Sequence, residues 1–111
     1  MPRSEKLEIL ERELRGIYDL ARKVAVSNLD SIVRNLAPNA KCTGNVWSIG
    51  DVHGSKGGSM WIYRTGTKAG GWCDAGNTPT RATGDMLHFV MINRGLKNVH
   101  EAAEYILDNW G

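Results

Sequence analysis

Apolar residues recur at Leu7, Leu10, Leu14, Ile17, Tyr18, Ala21 and Val24, a three-and-four spacing that lays one stripe along a helix. The pattern predicts a first helix over roughly residues 4–26. Its other face carries Glu8, Glu11, Arg12, Arg15, Arg22 and Lys23, with opposite charges such as Glu8 and Arg12 one turn apart. The stripe is expected to pack on the protein's own core, because a sustained coiled coil needs three or more heptads. A break follows at Ser27-Asn28, where Ser27 is positioned to cap and Asp30 to meet the helix start, ahead of apolar Leu29, Ile32, Val33 and Leu36. Pro38-Asn39 ends this short second helix, since proline disfavours helical conformation in the residue before it.

The period then changes. Residues 45–49, 59–65 and 70–74 are rich in aromatic and β-branched side chains and are separated by glycine-containing connections at 50–58 and 66–69. They predict three antiparallel strands, the last two joined by a tight hairpin. Alternation within 59–65 sets Met60, Ile62 and Arg64 on one face and Trp61, Tyr63 and Thr65 on the other. One set must be buried, and the sequence leaves open which. Near the end, Thr83 is expected to cap a helix with Asp85 in its first turn and Met86, Phe89, Val90 and Met91 as its apolar side, stopped at Arg94-Gly95. Asn98, with Glu101 three positions on, opens a closing helix lined by Val99, Ala102, Ala103, Ile106, Leu107 and Trp110. The expected class is α+β: a small three-stranded antiparallel sheet, resembling a degenerate zinc ribbon, between N-terminal helices and a C-terminal helical hairpin. One domain is expected over 1–111, in segments 1–37, 38–81 and 82–111, because 111 residues support a single modest core.

Composition narrows the function classes. At 41% hydrophobic and 23% charged the chain has the balance of an ordinary globular protein, and no window approaches the roughly 18 apolar residues of a membrane span. The opening residues carry no apolar stretch of the kind found in secretion signals, so the expected location is cytoplasmic, with Cys42 and Cys73 as thiols rather than a disulfide. The net charge of +2 matters less than its placement. Residues 41–81 hold five cations (Lys41, Lys56, Arg64, Lys68, Arg81) against Asp51 and Asp74, whereas residues 82–111 hold two cations against four acids. The positive surplus lies on the strand region.

Candidate chemistry is sparse. His53 and Cys73 are the candidates for a metal site or for a base and a nucleophile, with Asp51 and Asp74 nearby in sequence. Yet no motif fixes a catalytic geometry, and a structural zinc site needs four Cys or His ligands. The run Gly54-Ser55-Lys56-Gly57-Gly58-Ser59 lacks the Gly-x-x-x-x-Gly-Lys-Ser/Thr order of a phosphate loop and leads into a strand instead of a helix.

Longer stretches carry a resemblance. Gly50-Asp51-Val52-His53 is followed, seven positions after the histidine, by Met60 within Ser59-Met60-Trp61. Trp72-Cys73-Asp74-Ala75-Gly76 stands at a knuckle, and Thr83-Gly84-Asp85-Met86-Leu87-His88-Phe89-Val90 and Asn98-Val99-His100-Glu101-Ala102-Ala103-Glu104-Tyr105 open the last two helices. Over roughly residues 29–110 this resembles the zinc-binding domain of bacterial and phage replicative primases, which carry a Cys-Pro-x-His loop, a strand hairpin, a Cys-x-x-Cys knuckle and then an apolar helix. It is more similar still to a metal-free variant in phage and proteobacterial primase-helicase proteins, through Lys68-Ala69-Gly70-Gly71-Trp72-Cys73-Asp74 and Gly84-Asp85-Met86-Leu87.

The resemblance implies a non-catalytic module for single-stranded DNA in phage or plasmid replication. His53 and Cys73 would be vestigial metal positions, no zinc or other cofactor is expected, and Trp47, Trp61 and Trp72 would supply apolar burial in its place. Primer synthesis is not expected, because the acidic polymerising centre of primases lies in a separate domain. Trp61 and Tyr63 are candidates to stack bases, and Lys56, Arg64, Lys68 and Arg81 to meet phosphates. A different class stays open: an adaptor or inhibitor, encoded by a phage or plasmid, that binds a host replication or defence protein.

Overall fold

The computed structural model describes residues 3–75 and 82–111. Four helices and five strands run in the order α1 (Arg3–Ser27), α2 (Leu29–Leu36), β1 (Lys41–Thr43), β2 (Val46–Ile49), β3 (Met60–Tyr63), β4 (Trp72–Asp74), β5 (Ala82–Gly84), α3 (Met86–Arg94) and α4 (Val99–Trp110). The strands form one antiparallel meander in sequence order. The expected α+β class holds, but the sheet has five strands where three were predicted. β1 lacks any apolar alternation because it is an exposed edge, paired to β2 as Lys41↔Ser48, Cys42↔Trp47 and Thr43↔Val46. A two-residue loop joins the pair, with Gly44 at φ 60° in its first position, a placement that glycine meets without steric penalty. β5 contains Thr83, which is therefore a strand residue rather than a helix cap.

One sheet face is covered by helices. Trp47, Ile49, Met60, Ile62 and Trp72 point into a core completed by Leu29, Ile32, Val33 and Leu36 of α2, by Met86, Leu87, Phe89 and Val90 of α3 and by Ala102, Ala103 and Ile106 of α4. α1 packs across α3 and α4. Its stripe is only partly used. Ala21 and Ala25 are fully buried and Ile17, Tyr18 and Val24 pack on the core, but Leu10 is 53% exposed and Leu14 38%. The expectation that the whole stripe meets the core is thus corrected; the side chain of Leu7 lies outside the described ones. The 25-residue helix is about 37 Å long, more than the layer beneath it. The radius of gyration, 15.2 Å, accordingly exceeds the roughly 13 Å of a compact chain of this length.

The helix boundaries have local causes. α1 continues through Ser27 and ends at Asn28, which makes no side-chain cap bond to α2, so the predicted Ser27 cap is absent. Asp85 caps α3 by accepting from the His88 N–H, and Gly95, at φ 67°, closes it. Asn98 caps α4 by accepting from the Glu101 N–H, while the Glu101 carboxylate accepts from the Lys97 N–H.

Candidate nucleic-acid interface

The face of the sheet away from the helices answers the question that alternation left open. Met60 and Ile62 are fully buried, so Trp61 and Tyr63 belong to the outer face, where both are half-buried. Cross-strand pairing sets two rows there. One runs Lys41, Ser48, Trp61, Cys73, Thr83, and the other Thr43, Val46, Tyr63. The outer-face residues Thr43, Val46, Ser48, Trp61 and Tyr63, with Gly58 above them, line an open pocket of about 380 Å³. The ammonium of Lys68 lies 5.5 Å from the Tyr63 ring centroid, within cation–π range.

Beside this pocket a groove of about 560 Å³ runs between the segment Pro38 to Lys41 and the segment Lys56 to Gly58. Among the described residues neither lining includes a carboxylate, and the groove holds Lys41 and Lys56. The β2–β3 loop is held in place by short polar contacts. Asp51 accepts from the N–H groups of His53 and Ser55 and from the Ser55 hydroxyl at 2.9–3.2 Å. Burial raises its pKa, but the Ser55 and His53 bonds outweigh that and hold the carboxyl below its ordinary range. Asn93 of α3 donates to the carbonyls of both Leu36 and Val52 at 3.1 Å, and Asn39 donates to Gly54 at 3.3 Å. A Cβ at Gly50 would lie 2.5 Å from the Lys56 carbonyl oxygen. The loop therefore presses its own backbone together, and that contact sets Lys56-Gly57-Gly58 opposite β1.

The predicted cations separate on inspection. Lys56 and Lys68 are exposed beside the outer face. Arg64 lies on the helix side, where its Nε and Nη2 donate to the Asp30 carboxylate at 3.0 and 2.9 Å and its Nη1 to the Gly44 carbonyl at 3.1 Å. The same carboxylate accepts from the Trp47 indole at 2.7 Å, and Arg34 and Arg64 flank that ring at 5.6 and 5.8 Å. Asp30 thus serves a tertiary ion pair rather than the start of α2, and Arg64 is committed to it. Arg81 lies outside the described residues. Lys41 and Thr43, absent from the candidates read from sequence, join the site because β1 went unread; Ser48 of β2 and Gly58 of the β2–β3 loop join it as small residues lining the space between Trp61, Tyr63 and that edge strand.

Of the two positions that the resemblance marks as former metal ligands, His53 is exposed in the β2–β3 loop and Cys73 is buried in β4. Among the described residues no group of three His, Cys, Asp or Glu side chains converges. Cys42 in β1 and Cys73 in β4 sit three strand spacings apart, about 14 Å, beyond the Cα separation a disulfide spans. Trp72 is a core residue: its indole donates to the Asp85 carbonyl at 2.8 Å, and a Cβ at its cross-strand partner Gly84 would fall 2.7 Å from the ring. Among the described residues no helix is long and apolar enough to cross a membrane. Compared with protein-family models, curated proteins and solved structures, the chain matches none.

Proposed function

We propose that this protein is a non-catalytic module that binds single-stranded DNA across the outer face of its sheet. The observation that carries the reading is the pairing of half-buried Trp61 and Tyr63 on that face with Lys41, Lys56 and Lys68 at its margin, where among the described residues no carboxylate lines groove or pocket. Aromatic rings that stack bases beside cations that track phosphates are the usual means of single-strand binding. The resemblance to primase zinc-binding domains points the same way and suggests a role in phage or plasmid replication. The module is proposed to need no metal: Trp47 and Trp72 supply the expected apolar burial in the core under the helices, whereas Trp61, expected to do the same, is half-buried on the outer face and stays available to a ligand.

The test is fluorescence anisotropy of a labelled oligothymidine with chelator-treated protein, at low and near-physiological salt. We expect micromolar binding whose logarithm falls with log salt at a slope of about −2, three lysine contacts at about 0.7 each. The variant Lys41→Glu/Lys56→Glu/Lys68→Glu loses that binding while unfolding at the same urea concentration as wild type. Full affinity in this variant overturns the reading. Arg64 is left out of the set because its replacement would release Asp30 and Trp47.

A second reading, an adaptor or inhibitor of a host replication or defence protein, draws on the exposed Leu10, Leu14 and Leu20 of α1. Exposed leucines along one helix are the kind of apolar surface that a protein partner covers. Absence of oligonucleotide binding even at low salt favours it.

A further inference from the structure

Gly58 lines both the lysine groove and the aromatic pocket. It is exposed, its φ is not in the left-handed region, and a Cβ built on it would stand 3.3 Å from the Ser48 hydroxyl oxygen. The backbone therefore does not require glycine here. What glycine provides is space: the groove and the pocket meet at this residue, and the Ser48 hydroxyl lies against the point where they join.

We infer that groove and pocket are two halves of one nucleotide site, with a phosphate over Lys41 and Lys56 and its unpaired base turned past Gly58 into the pocket. The base rests on Val46 and Ser48 beside Trp61 and Tyr63. Val46, Trp61 and Tyr63 make most of the lining apolar, and the hydroxyls of Ser48 and Thr43 can each donate or accept a hydrogen bond at a base edge. This deepens the proposed single-strand binding and rests on it. It adds that the base itself, and not the charged backbone alone, contributes to affinity, and that a duplex, whose bases are paired inward, is a poor ligand.

Two decamers separate these contributions, oligothymidine and a fully abasic strand with the same phosphates. At low salt wild-type protein is expected to prefer the thymidine strand by about fivefold or more, the lower end of what one stacked base contributes. Gly58→Val closes the passage. It is expected to bring the thymidine affinity down to that of the abasic strand while the abasic affinity changes less than about threefold, since the lysines keep their outer contact. Thr43→Leu fills the same pocket from the exposed edge strand and gives the same result, which keeps the test decisive if Gly58→Val does not fold. Wild-type protein that binds both strands equally, or occluded variants that keep the preference for bases, overturns the nucleotide site and leaves backbone binding standing. Failure of wild type to bind either strand overturns both.

Discussion

The Asp30 carboxylate gathers the Trp47 indole N–H and two guanidinium N–H groups of Arg64, and its pKa falls from 3.8 to about 2. The Arg64 hydrogen bonds are the leading cause and the Trp47 bond the next, both favouring the charged form. A carboxylate depressed in this way adds stability above its unfolded-state pKa and loses it as pH falls through the folded value. The urea midpoint of wild type is therefore expected to exceed that of Asp30→Asn by a constant margin above about pH 4 and to converge on it toward about pH 2. A margin that does not change across this window contradicts the ion pair. Such a bond is invisible locally, because Asp30 and Arg64 are 34 positions apart, and read from their own neighbours Asp30 is a contact for the start of α2 and Arg64 a contact for phosphate. What was legible at this scale was alternation: the strand of Trp61 and Tyr63 split correctly into two faces, and burial of Met60 and Ile62 then decided which face is outside. Gly84 was legible as a motif position but not as a cause, which is the Trp72 ring lying where its side chain would be.

Among the elements, α3 shows how a cap is built from tertiary contacts as well as local ones. The Asp85 carboxylate accepts from the His88 N–H at 3.1 Å, contacts the His88 Nδ1 at 2.8 Å and accepts from the Arg22 Nε of α1 at 2.9 Å. Burial alone would raise its pKa; the bonds from His88 and Arg22 outweigh that and lower it. Asp85→Ala is expected to destabilise the fold by about 1–2 kcal/mol in urea unfolding, toward the upper part of the range for lost caps, because α1 loses its anchor as well. Loss of less than about 0.3 kcal/mol would mean that water replaces these bonds. Helices were legible because their apolar period runs for several turns, and the glycine stop at Gly95 and the Asn98 cap were read at the residues that form them. The edge strands were not. β1 and β5 have three residues each, too few for an alternating pattern to register, and β1 has no buried side chain to show. Missing β1 hid Lys41 and Thr43, and with them the edge of the candidate site.

At the scale of the whole molecule, the chain makes a layer of helices over one sheet face, with α1 running past the edge of the layer. Leu10 and Leu14 lie on the overhang, so Leu10→Lys/Leu14→Lys is expected to leave stability within about 0.5 kcal/mol of wild type per substitution, as at other exposed positions. A larger loss in urea unfolding would place those leucines in a contact that the isolated chain does not make. The partial use of the stripe was not legible, because periodicity reports which face of a helix is apolar but not how far its cover extends. The packing of α1 on α4 brings together residues near opposite ends of the sequence. During synthesis the face of Ala21 and Ala25 therefore leaves the ribosome long before residues 99–110 exist to cover it. At about 5–20 residues per second that interval lasts several seconds. The hairpins of the meander can pair one after another as they emerge, whereas the helical layer must wait for the last helix. The last part of that interval, after residue 84 and before residue 110, leaves the nascent chain as a sheet with an unfinished roof, the stage at which a chaperone would find the most to hold.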